Sequence, residues 1–90
     1  MIEVKHSSAE EWLVTVKSTI TTQHRVRVPK AMAARLAPGL PTEELIQESF
    51  RFLLERESNS SILSSFDLPV ISQYFPEFDR EIQKRMQQSH

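Results

Sequence analysis

The chain has 90 residues, 39% of them apolar, a net charge of −1 and no cysteine. Disulfides, thiolate metal sites and thiol chemistry are therefore excluded. The apolar content is that of a globular protein, so order is expected except at the ends, and only a local patch could attract a polyanion.

This length predicts one small domain, over 1–90, near the size at which oligomerisation often supplies missing core. No window approaches ~18 consecutive apolar residues, and the start, Met1-Ile-Glu-Val-Lys-His, carries no apolar run of the kind a secretion signal needs. A soluble cytoplasmic protein with no membrane contact is expected.

The polar stretch 1–10 reads as a loose N-terminus. Trp12 to Val16 is rich in strand formers, with Trp12, Val14 and Val16 on one face. Residues 23–28 alternate likewise, His24, Val26 and Val28 opposing Gln23, Arg25 and Arg27. Two strands so close in sequence predict a β-hairpin, about 12–17 and 22–28. Pro29 opens a short alanine-rich helix over 30–36, which Pro38 and Gly39 end. Thr42 is the expected cap of a helix over 43–57, with Glu43 and Glu44 favouring its N-terminus. Ser58 to Ser61 breaks that helix. Asp67 is the expected cap of a helix to Tyr74, and Pro76 opens a last one to Met86, with 87–90 a frayed tail. The fold class expected is α+β: an N-terminal β-hairpin followed by three to four α-helices. Trp12, Val14, Val26, Val28, Leu36, Ile46, Phe50, Leu53 and Phe66 are expected to share the core.

The apolar residues of helix 43–57 spread over roughly 200°, against about 100–140° for a helix on a monomer's surface. Phe52 and Leu54 lie roughly 160° apart on it. Either the helix is central in the monomer, or one flank meets a partner or a second copy. On the second reading Phe52, Leu54, Leu68, Ile71, Phe75 and Phe78 form the interface, and a homo-oligomer is expected.

Charge is divided along the chain. From Lys17 to Arg35 there are five cations and no acid; from Leu36 onward there are nine acids against five cations. The basic part suits a polyanion and the acidic helical part suits a protein partner. The histidines at 6, 24 and 90 lack metal spacing, and Gly39, the only glycine, excludes a glycine-rich phosphate loop. His24 reads as a satisfied, part-buried histidine. The five serines within 58–65 have no histidine beside them in sequence and read as caps and turns. A non-enzymatic protein without metal, cofactor or catalytic residue is expected. Asn59-Ser60-Ser61 fits a glycosylation sequon, which matters only for a secreted chain.

The run Gln23-His-Arg-Val-Arg-Val-Pro-Lys, followed by a helix, a glycine turn and a second amphipathic helix, resembles the ribbon-helix-helix family. That resemblance implies a dimer whose paired strands enter the DNA major groove. Gln23, Arg25 and Arg27, with Lys30 beside them, would then contact nucleic acid. The same run with Val16-Lys-Ser before it resembles the AbrB-type hairpin. Both families commonly supply the DNA-binding half of antitoxins, which implies an antitoxin-like division into a basic DNA part and an acidic partner-binding part. The segments around Phe50-Arg-Phe-Leu-Leu-Glu and Tyr74-Phe-Pro-Glu resemble small bacterial proteins and imply a bacterial source.

Overall fold

A computed structural model describes residues 1–88. Within them the fold is α+β, a four-stranded mixed sheet with four α-helices. Three strands, β1 (Ile2–Ser8), β2 (Glu11–Lys17) and β3 (Thr21–Arg27), form an antiparallel meander. Helices α1 (Lys30–Leu36) and α2 (Thr42–Leu54) follow, then a 3₁₀ turn (Asn59–Ser61). The short strand β4 (Ser65–Asp67) returns parallel to β3, before α3 (Val70–Tyr74) and α4 (Phe78–Gln88). The sheet order is β1-β2-β3-β4, so β1 and β4 are its two edges.

The expected hairpin is present as β2 and β3, extended by a strand where a loose N-terminus was expected. Residues 2–8 pair with β2 because Ile2 and Val4 carry the same alternation into the core face, half-buried there. Asp67 is not a helix cap: it lies in β4 opposite Arg27, and α3 starts after Pro69. Thr42 is likewise inside α2, whose cap position is Pro41. Of the expected tail, 87 and 88 are helical, and 89–90 lie outside the described residues.

All helices cover one face of the sheet. Val14, Val16, His24, Val26 and Val28 point into them, while Gln23, Arg25 and Arg27 face solvent. Helix α2 is the centre. Phe50 packs on the sheet side, its ring 5.4 Å from that of His24 and 6.1 Å from Phe66. Phe52 packs on the far side, meeting Phe75 and Phe78 edge-on at 5.9 and 5.1 Å. Of the expected core, Trp12 and Phe66 are half-buried and the rest is buried. Gly39 takes a φ of 75°, which places the link between α1 and α2 in the left-handed region that glycine adopts without cost.

Ion pairs close the helical layer. Arg35 Nη1 lies 2.8 Å from Asp79 Oδ2, tying α1 to α4. Arg85 Nη2 donates to Glu55 Oε1 at 2.7 Å, and Arg85 Nε donates to Glu81 Oε1 at 3.1 Å. The Arg85 hydrogen bond, aided by its charge and that of Arg56, holds the Glu55 carboxyl below its ordinary range against a smaller opposing effect of burial.

Two outcomes test this packing. Phe50→Ala is expected to cost about 3–5 kcal/mol in a chemical melt, whereas Tyr74→Ala, at an exposed position, should change stability by less than about 0.5 kcal/mol. The lowered pKa of Glu55 contributes stability above its ordinary value of 4.5, and that contribution is lost as pH falls through the lower folded value. Glu55 is an exposed partner, so Glu55→Gln should flatten the acid limb of the stability–pH curve by only a few tenths of a kcal/mol.

Candidate interaction surfaces

The outward face of the sheet carries three of the expected nucleic-acid residues, Gln23, Arg25 and Arg27, while Lys30 opens α1 beside it. Register places Lys5, Leu13 and Arg25 in one row, Glu3, Thr15 and Gln23 in the next, and Glu11, Arg27 and Asp67 on the other side. Gln23, Arg25, Arg27 and Lys30 are all exposed. Arg27 is held from two sides, by Glu10 at 3.0 Å and Asp67 at 3.2 Å. The Lys30 backbone N–H donates to the second oxygen of the same Glu10 at 2.9 Å, which anchors the first turn of α1. Lys17 pairs with Glu3 at 3.2 Å. The basic stretch of sequence therefore becomes a face of mixed sign, because the fold brings an acid from each neighbouring strand.

The expected interface residues divide differently. Phe52, Leu68, Ile71 and Phe78 are buried within the chain's own core, and Leu54 and Phe75 are half-buried. The reading of Phe52 as an interface flank is corrected accordingly. Its ring is covered by Phe75 and Phe78 and capped by the Arg56 guanidinium, 3.6 Å from the ring centroid. Arg56 is fixed there by its own hydrogen bond to the Phe52 carbonyl, 3.1 Å, and by Glu77 at 3.5 Å. The broad apolar arc of α2 is thus that of a central helix.

Beside this sealed cluster lies an open groove of about 210 Å³. Leu53, Ile62, Phe66 and Ile71 line it with Val70 and Phe75, and Leu63, Tyr74, Ser61 and Glu57 complete its lining. Leu63 is 48% exposed and Tyr74 is 66% exposed. Among the described residues no hydrogen bond or ion pair holds the Glu57 carboxylate. Sequence reasoning included Ile71 and Phe75 but missed Leu63, Tyr74 and Glu57, which carry no signal beyond their type.

The loop 58–64 that forms one wall is pinned by a buried polar chain. Asn59 Nδ2 donates to Thr22 Oγ1 at 3.0 Å and to the Ile20 carbonyl at 3.0 Å. A carbonyl only accepts, so His24 Nδ1 must donate to Leu63 O, 2.8 Å away. His24 Nε2 then accepts from the Thr22 hydroxyl at 2.9 Å. His24 is 2% exposed with both ring nitrogens used, so it serves structure. Asn59 is 6% exposed and its amide is occupied, so a glycan there is incompatible with this fold.

Among the described residues no group of three or more His, Cys, Asp or Glu is placed to hold a metal ion. No described helix is long and apolar enough to cross a membrane. Comparison with protein-family models, with curated proteins and with solved structures returns no match to this chain.

Asn59→Ala is expected to cost about 1–3 kcal/mol, since it strips donors from buried acceptors. Hydrogen exchange should then quicken first over 58–64, while the amides of β2 stay protected. Uniform loss of protection along the chain would contradict a local role for Asn59.

Proposed function

We propose that this chain is a non-enzymatic interaction domain that docks a partner protein in the groove of its acidic helical half. The observation that supports this reading is the open apolar groove between the end of α2, the loop 58–64, β4 and α3. A cavity of about 150 Å³ holds a benzene ring. The space here, about 210 Å³, is therefore enough for one large apolar side chain. The occupant is a segment with such a residue next to a lysine or arginine. Glu57 argues for the cation: its carboxylate lies at the groove without an ion pair, and the segment from Leu36 onward has an excess of acids.

The groove lies on the core side of β4, whose outer edge has no strand partner among the described residues. An extended segment laid along that edge could drop a side chain into the groove, the strand-addition mode of peptide capture. DNA recognition by Gln23, Arg25, Arg27 and Lys30 is the weaker reading. Arg27 is engaged by two acids, and Glu3, Glu11 and Asp67 share its face and would repel phosphates.

A short acetylated peptide with a central phenylalanine flanked by lysines is the direct probe, with its glutamate-flanked counterpart as control. In amide NMR the lysine peptide is expected to shift Leu53, Ile62, Phe66 and Tyr74 at roughly millimolar affinity. Glu57→Gln should weaken that binding by about two- to tenfold. Equal shifts with both peptides, or shifts confined to the outer sheet face, would sink the reading.

A further inference from the structure

The second free edge of the sheet supports an inference independent of the groove. Met1 and Lys17 exchange both backbone hydrogen bonds, at 2.9 and 2.8 Å. In an antiparallel ladder such pairs alternate with non-bonded ones. Glu3 and Lys5 therefore turn their backbone groups toward β2, and Ile2, Val4 and His6 turn theirs outward. Beyond His6 the register shifts at a bulge, so the regular part of this edge is centred on Val4.

We propose that β1 pairs with the β1 of a second copy about a two-fold axis at Val4. In that register Val4 faces Val4, Ile2 faces His6, and Glu3 faces Lys5. The residues that turn their N–H and C=O outward are the ones this register makes hydrogen-bonded pairs. Glu3 and Lys5 become a non-bonded pair, in which side chains approach most closely. The segment Ile2-Glu3-Val4-Lys5-His6 is thus self-complementary in charge only when antiparallel and only in this register. Shifting by one residue would turn inward-facing backbone groups to the interface, and shifting by two would set like charges or unmatched residues opposite each other.

Several features favour self-pairing over a merely protected edge. Proline is absent from the strand, and its charges are one of each sign in place of the lysines that usually guard an edge. Among the described residues Lys5 has no ion pair, and its cross-strand neighbour is Leu13. Ile2 and Val4 are only half-buried in the single copy, so apolar surface remains to be covered. Gln47 Nε2 donates to the outward Ile2 carbonyl at 3.0 Å, which leaves that oxygen a second lone pair for the partner strand.

Charge exchange tests the register. Lys5→Glu puts Glu3 against a glutamate twice per dimer, and Glu3→Lys puts two lysine pairs together. Each variant alone is expected to lose self-association by about a hundredfold or more, as like charges brought face to face do. An equimolar mixture should regain it, because the mixed dimer restores both opposite-charge contacts. Sedimentation velocity at high micromolar concentration reads all three samples, with circular dichroism reporting that each variant stays folded. Glu3→Lys also loses Lys17, so recovery in the mixture is the decisive readout. A wild-type chain that stays monomeric overturns the proposal. So does a dimer that both variants leave intact, or a mixture that fails to recover.

Discussion

The width of the apolar arc on α2 is the constraint from which the rest of the architecture follows. A helix with Phe50 and Phe52 both fully buried cannot lie on the surface of a sheet. It needs a second layer. The sheet covers Phe50, and α3 with α4 covers Phe52. The chain after residue 58 exists to make that second cover. This explains why so short a protein returns across its own sheet edge before its last helix. Phe52 shows how costly the cover is to complete. Aromatic edges alone leave one side of its ring open, and Arg56 closes it as a flat cation stacked at 3.6 Å. Arg85, 5.6 Å from the same ring, ties α4 to the end of α2 through Glu55.

Charge segregation along the sequence is consumed in this folding. The basic stretch and the acidic remainder meet each other: Arg27 with Asp67, Arg35 with Asp79. These are exposed pairs, worth little individually. Their larger consequence is electrostatic form. A strand that would attract phosphates in isolation becomes one row in a face of mixed sign. A division of charge in sequence is thus weak grounds for a division of binding partners, because the fold can set the two parts against each other.

What the sequence revealed depended on the range of the interactions involved. Strands β2 and β3 were legible from alternation, and α2 from its apolar spacing and the prolines before it. Both signals are local. Strand β1 was obscured because only Ile2 and Val4 carry the alternation, among polar residues that suggest a loose end. Strand β4 was not legible at all: it is three residues long and is made by pairing with β3 some forty positions earlier in the chain. The same long-range pairing overrode the cap chemistry of Asp67, since a carboxylate that can cap a helix can equally meet Arg27 across a sheet. The groove was missed for a related reason. Leu63 and Tyr74 are single exposed apolar residues, which every surface has. They become informative only when the fold sets them around one cavity.

The two proposals occupy opposite edges of one sheet, and this places a geometric condition on both. Pairing through β1 would run one sheet through two copies and leave each β4 at an outer end. The grooves would then point away from each other and remain open. Self-association and partner capture are therefore compatible, and a dimer would be bivalent. Bivalency raises apparent affinity only for a target that presents two sites at a matching separation. A groove with room for one side chain gives weak binding to any single segment. Doubling it on a rigid sheet is a direct way for so small a chain to bind firmly, and it would select partners that are themselves repeated or dimeric.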